Sequence, residues 1–524
     1  MLFFFQRNGH HKSTGILIIV FWGSLWSHCS QNSWIRPEKI KPPEVLDIYK
    51  IPVNSVTSKY GESPIAVKSE LVPGIAIDPK PAPEIHKASS TDIPVKEQNK
   101  EEKPATKKEK QSPVFYSGNL LLREKLLFKK TGKDELTITI RGSGRVKHDQ
   151  MQMDSYEIKI MGDNSDYAVS DYPVTIRDFK SNTVLKAGYG EFIRDENMAY
   201  FNKNPVVVHD DVKTKDRSTI TADEMMRYFS TGTTIGYGHV VMVDEKGTGY
   251  ATKVTYTDSD NRAVLEGNPR IYEKKNIYLA DKMTLYREKK IAILEGNVRV
   301  FLTEEKKDSK GREVVTVITG DYAEYRYGET VKVAEFQTRR KNSFVYVSRA
   351  DSDTYCKRLI ARGEGLQEME LFENIYILDI ENRTRLYGEY GTYSKQDKRV
   401  KVFTRPNTGG EIIHPVAYYY NKNDFIKGRI TGEIFDRDLD KKVTYARGNV
   451  DFHLYERSSE PLTIPTVQSE ALSEWAQMDD QKKEVHLSGR PYLKNKKSKI
   501  FAAEIVAFPD DNRLELNNSI EGGM

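Results

Sequence analysis

Short stretches in which apolar and polar residues alternate dominate the chain from about residue 112 onward. Residues 136–140 read Leu-Thr-Ile-Thr-Ile, and Gly142 and Gly144 follow as turn residues. Alternation at period two gives a β-strand one apolar and one polar face, and windows with the helical period of 3.6 residues are few. The pattern predicts an all-β protein whose strands of ~8–12 residues are separated by turns.

A second pattern returns from about residue 187 to the C-terminal end. A small residue is followed three positions later by a small or apolar residue, and five or six positions later by an aromatic one. The cases are Ala187, Gly190 and Phe192; Ala222, Met225 and Tyr228; Ala251, Val254 and Tyr256; Ala280, Met283 and Tyr286; Gly320, Ala323 and Tyr325; Gly388, Gly391 and Tyr393; and Ala503, Val506 and Phe508. Self-similarity at a period of ~20–50 residues predicts a repeat protein, here an elongated β stack.

A Gly-Asn pair stands between apolar segments at residues 267–268, 296–297 and 448–449. Glycine reaches backbone conformations with positive φ, and asparagine tolerates the left-handed region. Each of these places is therefore predicted to be a turn between two strands.

Two stretches interrupt the repeats. Residues 304–313 are mostly charged, and residues 458–469 contain Pro461 and Pro465. In a repeat protein, such stretches are loop insertions on one face of the stack. We expect a β-repeat array at residues 114–456 and its continuation at residues 457–524.

The N-terminal part has a different composition. Residues 15–26 are apolar and follow the basic residues Arg7 and Lys12. This stretch is short for a transmembrane helix, which needs ~20 apolar residues, and fits a secretory signal better. Residues 1–30 are predicted to be a signal peptide, with a retained membrane anchor as the alternative, and either way the protein is exported. Residues 31–113, rich in Pro, Lys and Glu, are predicted to be a disordered linker.

Composition narrows the classes of partner. The 524 residues are 38% hydrophobic and 30% charged, and the net charge is only +5 with acids and bases interspersed. Binding of nucleic acid requires a basic stripe, so no nucleic-acid partner is predicted. The two cysteines are Cys29 and Cys356. Removal of residues 1–30 would leave Cys356 alone and exclude an intrachain disulfide.

Motifs of catalysis and of cofactor binding do not occur in the sequence. The histidines after residue 30 are scattered singly, without HExxH or CxxC spacing, so no metal site is predicted. Gly-x-Gly occurs at 188–190 and 236–238 without a third glycine, and GxSxG and P-loop motifs are absent. We therefore predict no cofactor and no enzymatic activity. An enzyme that degrades polysaccharides would need clustered carboxylates, which the sequence does not show.

Three segments carry a resemblance to a known family: ITADEMMRY at 220–228, YLADKMTLYREKKIAILEGNVRVFL at 278–302 and ARGNVDFHL at 446–454. They resemble the OstA-like repeat of lipopolysaccharide transport protein A and of the periplasmic domain of its outer-membrane partner. The resemblance implies antiparallel strands folded into two facing sheets, a β-jellyroll or "taco" whose slot holds the acyl chains of lipopolysaccharide. It further implies a periplasmic bridge between the inner and outer membranes, with lipopolysaccharide or a related glycolipid as ligand.

The alternation of side chains along each strand then predicts which residues line that slot. Ile291 and Ile293, followed by Val298 and Val300, are predicted to face the interior, with Ala292 and Arg299 on the opposite side. The predicted lipid-binding residues are Leu265, Ile271, Ile291, Ile293, Val298 and Val300, with Tyr256 and Tyr286 nearer the ends of the strands, where a hydroxyl reaches water.

Two further points stay open at this stage. The same side chains would also fill a closed sandwich core, which would make the protein a structural or adhesive component of the cell envelope. The residues Leu514-Glu-Leu516 alternate near the C-terminal end and are predicted to form a free edge strand. Other lipopolysaccharide-transport proteins of the same fold could extend that edge by β-augmentation.

Overall fold

The computed structural model describes residues 113–118, 125–130, 136–210, 217–307, 311, 313–421, 423, 425–456, 464–494, 499–517 and 521–523. The described residues belong to the compact unit Lys103–Met524. The predicted signal peptide or anchor, and the predicted linker apart from residue 113, lie outside the described residues. Among the described residues, no helix is long and apolar enough to span a membrane.

The described secondary structure consists of β-strands. They are β1 (Val114–Ser117), β2 (Lys125–Lys130), β3 (Leu136–His148), β4 (Met151–Met161), β5 (Tyr167–Ser170), β6 (Val174–Asp178), β7 (Thr183–Ala187), β8 (Tyr189–Ile193), β9 (Met198–Asn202), β10 (Val206–Asp210), β11 (Arg217–Thr221), β12 (Glu224–Tyr228), β13 (Thr233–Val243), β14 (Thr248–Thr257), β15 (Arg262–Glu266), β16 (Arg270–Glu273), β17 (Asn276–Leu279), β18 (Lys282–Tyr286), β19 (Ile291–Lys307), β20 (Glu313–Arg326), β21 (Val333–Gln337), β22 (Val345–Ser348), β23 (Ser352–Cys356), β24 (Arg358–Arg362), β25 (Glu368–Asp379), β26 (Thr384–Ser394), β27 (Arg399–Phe403), β28 (Arg405–Pro406), β29 (Ile412–Ile413), β30 (Val416–Tyr420), β31 (Ile426–Thr431), β32 (Ile434–Asp438), β33 (Val443–Tyr455), β34 (Val467–Asp479), β35 (Glu484–Ser488), β36 (Tyr492–Lys494), β37 (Lys499–Phe501), β38 (Glu504–Phe508), β39 (Arg513–Asn517) and β40 (Glu521–Gly523). The prediction of an all-β fold is confirmed.

The strand pairings form two continuous antiparallel ladders. Half-sheet I runs β2-β3-β4-β5-β8-β9-β12-β13-β14-β15-β18-β19-β20-β21-β24-β25-β26-β27-β32-β33-β34-β35-β38-β39. Half-sheet II runs β1-β3-β4-β6-β7-β10-β11-β13-β14-β16-β17-β19-β20-β22-β23-β25-β26-β30-β31-β33-β34-β36-β37-β40. Long strands such as β14 belong to both: one part of β14 pairs with β15 and the other with β16.

Each passage of the chain therefore crosses both half-sheets and is interrupted at its middle. Residues 262–273 show this, because β15 and β16 pair with successive parts of β14 in the same direction. The segment 267–269 between them is a break in a straight passage, and the prediction of a turn that reverses the chain is wrong there. The predicted strand length agrees with one whole passage, which the mid-point break divides into two shorter strands.

At the other two Gly-Asn pairs, the break is a β-bulge inside one strand. The register of β19 against β20 shifts between Glu295 and Val298, and Gly296 and Asn297 have φ values of 72° and 44°. The equivalent shift in β33 lies between Arg447 and Val450. A bulge adds one residue to its strand and bends it, which turns the chain from one half-sheet into the other. The left-handed conformation inferred from sequence is present, but it bends the strand and does not reverse it.

The spacing between Ala280-Asp281 and Gly296-Asn297 has a structural cause at this bend. The Asp281 amide donates to the carbonyls of Glu295 (3.1 Å) and Gly296 (2.9 Å). The Asn297 side-chain amide donates in return to the Asp281 carboxylate, at 2.9 and 3.1 Å. A Cβ on Gly296 would overlap that carboxylate, so both the positive φ and the close approach of Asp281 require glycine.

The inner faces of the two half-sheets pack into a common core. One cluster of buried apolar side chains extends from Ile138 to Tyr393, and a second from Leu386 to Ala507. The ladder continues between the predicted array and its predicted continuation, because β33 pairs directly with β34. Cys356 is buried in the first cluster as a free thiol, and burial raises the pKa of this thiol to about 12.

Candidate functional site

Five of the eight residues selected from sequence lie on the inner faces. Leu265, Val298, Val300 and Tyr256 are at most 3% exposed, and Ile271 packs partly buried against the same core. These side chains come from β14, β15, β16 and β19, so both half-sheets contribute. Their predicted interior position agrees with the structure, and their contact with lipid stays a prediction.

The predicted orientation of Ile291 and Ile293 is wrong. In β19 the interior residues are Ala292 and Leu294, which are 8% and 4% exposed, and Leu294 pairs with the fully buried Met283 of β18. Ile291 and Ile293 lie half-buried on the opposite face. Alternation in this segment does not identify the interior face, because both faces are apolar. The interior residues of β19 are even-numbered on both sides of the bulge, from Ala292 and Leu294 to Val298.

The two tyrosines also differ from their predicted positions. Tyr286 lies half-buried on the face of β18 opposite Met283, and the Lys289 ammonium stands 5.3 Å from its ring centroid. Tyr256 does face inward, but its hydroxyl does not reach water. It donates to the side-chain oxygen of Asn261 at 2.8 Å in a buried hydrogen bond.

A cavity of about 300 Å³ separates the two half-sheets in the region of residues 242–332. Its apolar wall is formed by Met242, Gly249, Leu265, Ile271, Leu285, Ala292 and Leu294. Its polar and aromatic residues are Asp244, Lys246, Glu273, Tyr278, Tyr325, Tyr327 and Lys332, several of them in the turns that end the strands. The cavity therefore has an apolar interior and a charged margin.

Charged and aromatic side chains are ordered at this margin. The Lys246 ammonium lies 3.9 Å from the centroid of the Tyr327 ring. The Tyr278 hydroxyl donates to Glu273 Oε2 at 3.0 Å, and burial together with the Glu273 charge raises the pKa of Tyr278. A hydrogen bond to Glu364 raises the pKa of Lys332. Two lysine side chains thus stand beside an apolar cavity.

A smaller cavity of about 130 Å³ lies where the two core clusters meet. Its lining includes Met369 and Tyr393 from the first cluster and Leu386 and Met478 from the second. Arg437 also lines it.

Two buried arginines join the half-sheets. Arg227, on β12 of half-sheet I, is 0% exposed and donates to Asp178 Oδ2 of half-sheet II at 2.7 Å. It also contacts Asp258 in the turn after β14, and Thr234 Oγ1 at 3.0 Å. Burial lowers the pKa of Arg227, but the hydrogen bonds and charges of Asp258 and Asp178 raise it above the ordinary value.

Arg437, on β32, repeats this arrangement. Its guanidinium pairs with Asp379 of half-sheet II and, at 2.6 Å, with Asp480 in the turn after β34. Thr444 Oγ1 accepts a further hydrogen bond at 2.8 Å. Burial raises the pKa of Asp480 to about 6, an effect that the charge of Arg437 only partly offsets.

Neither arginine was predicted from the sequence as a functional residue, although a signal exists. Arg227 follows Met225 by two residues, and Arg437 follows Phe435 by two, so each occupies an interior position of an alternating strand. A charged residue at an apolar position indicates a buried ion pair. The carboxylate partners could not be found in this way, because Asp178 and Asp379 come from distant strands.

Three side chains of the metal-ligand type also lie close together without a motif in the sequence that predicts it. Asp451, His453 and Glu470 place one ligand atom each within 4.8 Å of one another, because His453 pairs with Glu470 between β33 and β34. The Lys494 ammonium already lies 2.7 Å from Glu470 Oε1. This cation belongs to the same group, and the cluster is adequately explained as a surface ion-pair network.

Part of the inner face just described lies in a region that matches a known protein family. Residues 133–291 match the family described as LptA/(LptD N-terminal domain) LPS transport protein. A comparison with curated proteins found no match. Among solved structures, the extracellular domain of the one component system BT4673 from B. thetaiotaomicron is 8% identical, covering 72% of this chain and 81% of that chain, with a TM-score of 0.09. A score of this size supports no conclusion about fold or function.

The family match covers β3 to the start of β19, which includes part of the cavity wall. The bends at 296–297 and 448–449 lie beyond it, yet they repeat the geometry seen at Gly238 and His239 inside it. The resemblance drawn from the short motifs is confirmed. Residues 133–291 of this chain thus match the OstA-like family of LptA and LptD N-terminal domains.

Proposed function

We propose that this protein binds lipopolysaccharide, or a related glycolipid, between its two half-sheets and serves as a periplasmic bridge for its transport between the inner and outer membranes. The observation that carries the proposal is the 300 Å³ cavity with its apolar wall and lysine-bearing margin, part of which lies in the OstA-like region. Ligand cavities commonly measure ~300–1,000 Å³, so this one is at the lower end of that range.

The chemistry of the cavity suits an acylated and phosphorylated ligand. Each methylene moved from water to the apolar wall stabilises binding by ~0.8 kcal/mol, and no directional contact is needed. Lys246 and Lys332 at the margin can pair with phosphate groups. Binding and release require no bond to be broken, so we propose no catalytic role.

Partner proteins would bind at the ends of the ladders. β39 and β40 end the described half-sheets on the C-terminal side, and β1 and β2 on the N-terminal side. Phe115 in β1 and Phe128 in β2 are 66% and 59% exposed. We propose that other lipopolysaccharide-transport proteins extend these edges by β-augmentation.

The assignment of the chain to segments follows from the same proposal. Residues 1–30 would direct export and be cleaved, or be retained as an inner-membrane anchor. Residues 31–113 would be a linker to the repeat array at 114–456 and its continuation at 457–524. The protein would act in the periplasm.

A structural role is the second candidate, and the tight packing of the interior favours it. Leu265, Val254 and Met283 are 0% exposed, which is the burial expected of a closed core. In that case the cavity would be a packing defect, and the protein would be a spacer or adhesive component of the envelope.

Bound lipid distinguishes the two candidates. We expect mass spectrometry of the protein purified from its native envelope to show co-purifying glycolipid. We also expect a photo-crosslinking residue at Val298 to capture lipopolysaccharide, because this position faces inward. The same residue at the exposed Arg299 is the matched control and should capture none. Equal capture at both positions, or none at Val298, would contradict lipid binding in the interior and favour the spacer.

A further inference from the structure

We propose that the ion-pair clusters of Arg227 and Arg437 act as two gates that bound a lipid compartment inside the fold. The inference rests on the proposed function, since a compartment has meaning only if lipid enters the interior. It differs from that function in one respect: a bridge with an uninterrupted slot would let acyl chains slide along its whole length, whereas gates confine them to one section.

Both clusters span the space between the half-sheets. Arg227 links β12 to Asp178 at the end of β6, and it also donates to Ser181 Oγ at 2.9 Å in the turn beyond. Arg437 links β32 to Asp379 at the end of β25. In each case a cation of half-sheet I is held by a carboxylate of half-sheet II, so the two rims are tied together at these points.

The two gates occupy the same place in the repeat. Arg227 stands five residues after the small residue Ala222, and Arg437 five residues after Gly432. Between them, the repeats carry Tyr256, Leu285, Tyr325 and Tyr393 at this position, and Leu285 and Tyr325 line the 300 Å³ cavity. The cavity therefore lies where an apolar or an aromatic side chain takes the place of the tying arginine.

A third rim contact separates the first gate from the cavity. Arg287, in the turn after β18, donates to Ser218 Oγ on β11, and its Nε lies 3.9 Å from Asp244 Oδ2, a carboxylate of the cavity margin. Ser218 and Asp244 both belong to the half-sheet II side. The rims are thus joined on the Arg227 side of the cavity by two adjacent clusters.

Acyl chains cannot pass such a cluster without separating buried charges. A buried guanidinium and the buried carboxylates Asp178 and Asp480, whose side chains are 3% and 2% exposed, have no substitute partner in an apolar passage, so their separation is strongly unfavourable. The described cavities both lie in the section that the two arginines delimit, with Arg437 itself lining the smaller one.

The gate at Arg437 has more room to move than the gate at Arg227. The 130 Å³ cavity adjoins its guanidinium, and Thr384, which is 5% exposed, also lines this cavity. Within the described part of the chain, the Thr384 hydroxyl has no hydrogen-bond partner. A polar group of this kind beside an open volume can accept Arg437 or water when the gate opens.

Crosslinking along the fold tests the compartment. A benzoylphenylalanine residue would be placed at Ile271 between the gates, at Leu136 before the first, and at Leu493 after the second; all three side chains pack partly buried against the core. The full-length protein would be loaded with purified lipopolysaccharide and irradiated. We expect capture at Ile271 and only background at the two outer positions.

Neutralising a gate should extend the labelled region. In the variant Arg437→Met, Asp379→Asn, Asp480→Asn, capture at Leu493 should rise from background to the level at Ile271. The matched control, Lys398→Met with Asp440→Asn, removes an exposed ion pair and should leave the wild-type profile unchanged.

The outcomes separate the two proposals. Capture at Leu136, Ile271 and Leu493 alike in the wild-type protein would overturn the gates and leave lipid transport standing. Capture at Ile271 with no gain at Leu493 in the folded neutral variant would also overturn the gate at Arg437. An absence of capture at every position would remove the proposed function, and the compartment with it. The wild-type profile alone decides the first and third cases, even if the variant fails to fold.

Discussion

Replacement of Arg227 by methionine should destabilise the fold locally, because it removes the guanidinium that pairs with the buried Asp178 and the partly buried Asp258 carboxylates. The Asp178 side chain is 3% exposed and that of Asp258 is 14% exposed, and both pair with the Arg227 guanidinium. Removing one partner of a buried ion pair costs ~3–5 kcal/mol, mainly from the uncompensated charge that remains. Methionine itself fits an apolar interior, so the loss should come from the carboxylates.

The matched variant tests this origin. In Arg227→Met, Asp178→Asn, Asp258→Asn no charge remains buried, and replacement of a whole ion-pair group by neutral side chains is often neutral or stabilising. We therefore expect the triple variant to recover most of the stability that the single variant loses. Arg217→Met serves as a surface control, since its pair with Asp210 is exposed and such pairs contribute ~0–1 kcal/mol.

Hydrogen exchange measured by mass spectrometry reports this loss where it occurs. A repeat fold can open locally, so a single melting temperature would average over distant strands. Protection of the β6 and β12 amides should fall roughly 100- to 4,000-fold in Arg227→Met, as ~1.4 kcal/mol corresponds to a factor of ten. Strands such as β38 should be unaffected.

Two results would refute the reasoning. If the single variant keeps its protection, the carboxylates are not trapped and the cluster is accessible to water. If the triple variant is as unstable as the single one, the contribution of Arg227 comes from packing of its side chain and not from pairing of charge.

Three further predictions follow from the bend, the second arginine cluster and the last strands. Gly296→Ala should lose at least ~1–2 kcal/mol of stability in urea denaturation, because alanine at a φ of 72° is strained; an unchanged midpoint would show that the bulge relaxes. Burial raises the pKa of Asp480 to about 6, so this carboxyl stabilises the fold below about pH 4, and the contribution disappears as the pH rises through 6. Asp480→Asn should flatten that dependence in urea midpoints measured from pH 4 to 7, and an identical slope in both proteins would contradict the assignment. Deletion of residues 509–524 should abolish pull-down of a transport partner while the β signal in circular dichroism persists, whereas undiminished pull-down would exclude the C-terminal edge as the docking site.

The sequence alone determined the class of the fold and the backbone conformation at its recurring bends. Alternation at period two is a local property of a strand, so segments such as residues 136–140 show their conformation without their neighbours. The left-handed conformation at Gly296 and Asn297 is equally local, since it depends on the chemistry of these two residues. The predicted turn nevertheless became a bulge, because only the partner strand determines whether the chain reverses or bends.

The tertiary structure decided which face of each strand is interior and where the charges go. Alternation cannot choose between Ile293 and Leu294, since both are apolar; pairing of Leu294 with the buried Met283 makes the choice. The ion pair of Arg227 with Asp178 joins residues 49 positions apart in the chain. Contacts of this kind arise from the closing of two half-sheets on each other, and a local pattern contains no information about which distant side chains will then meet.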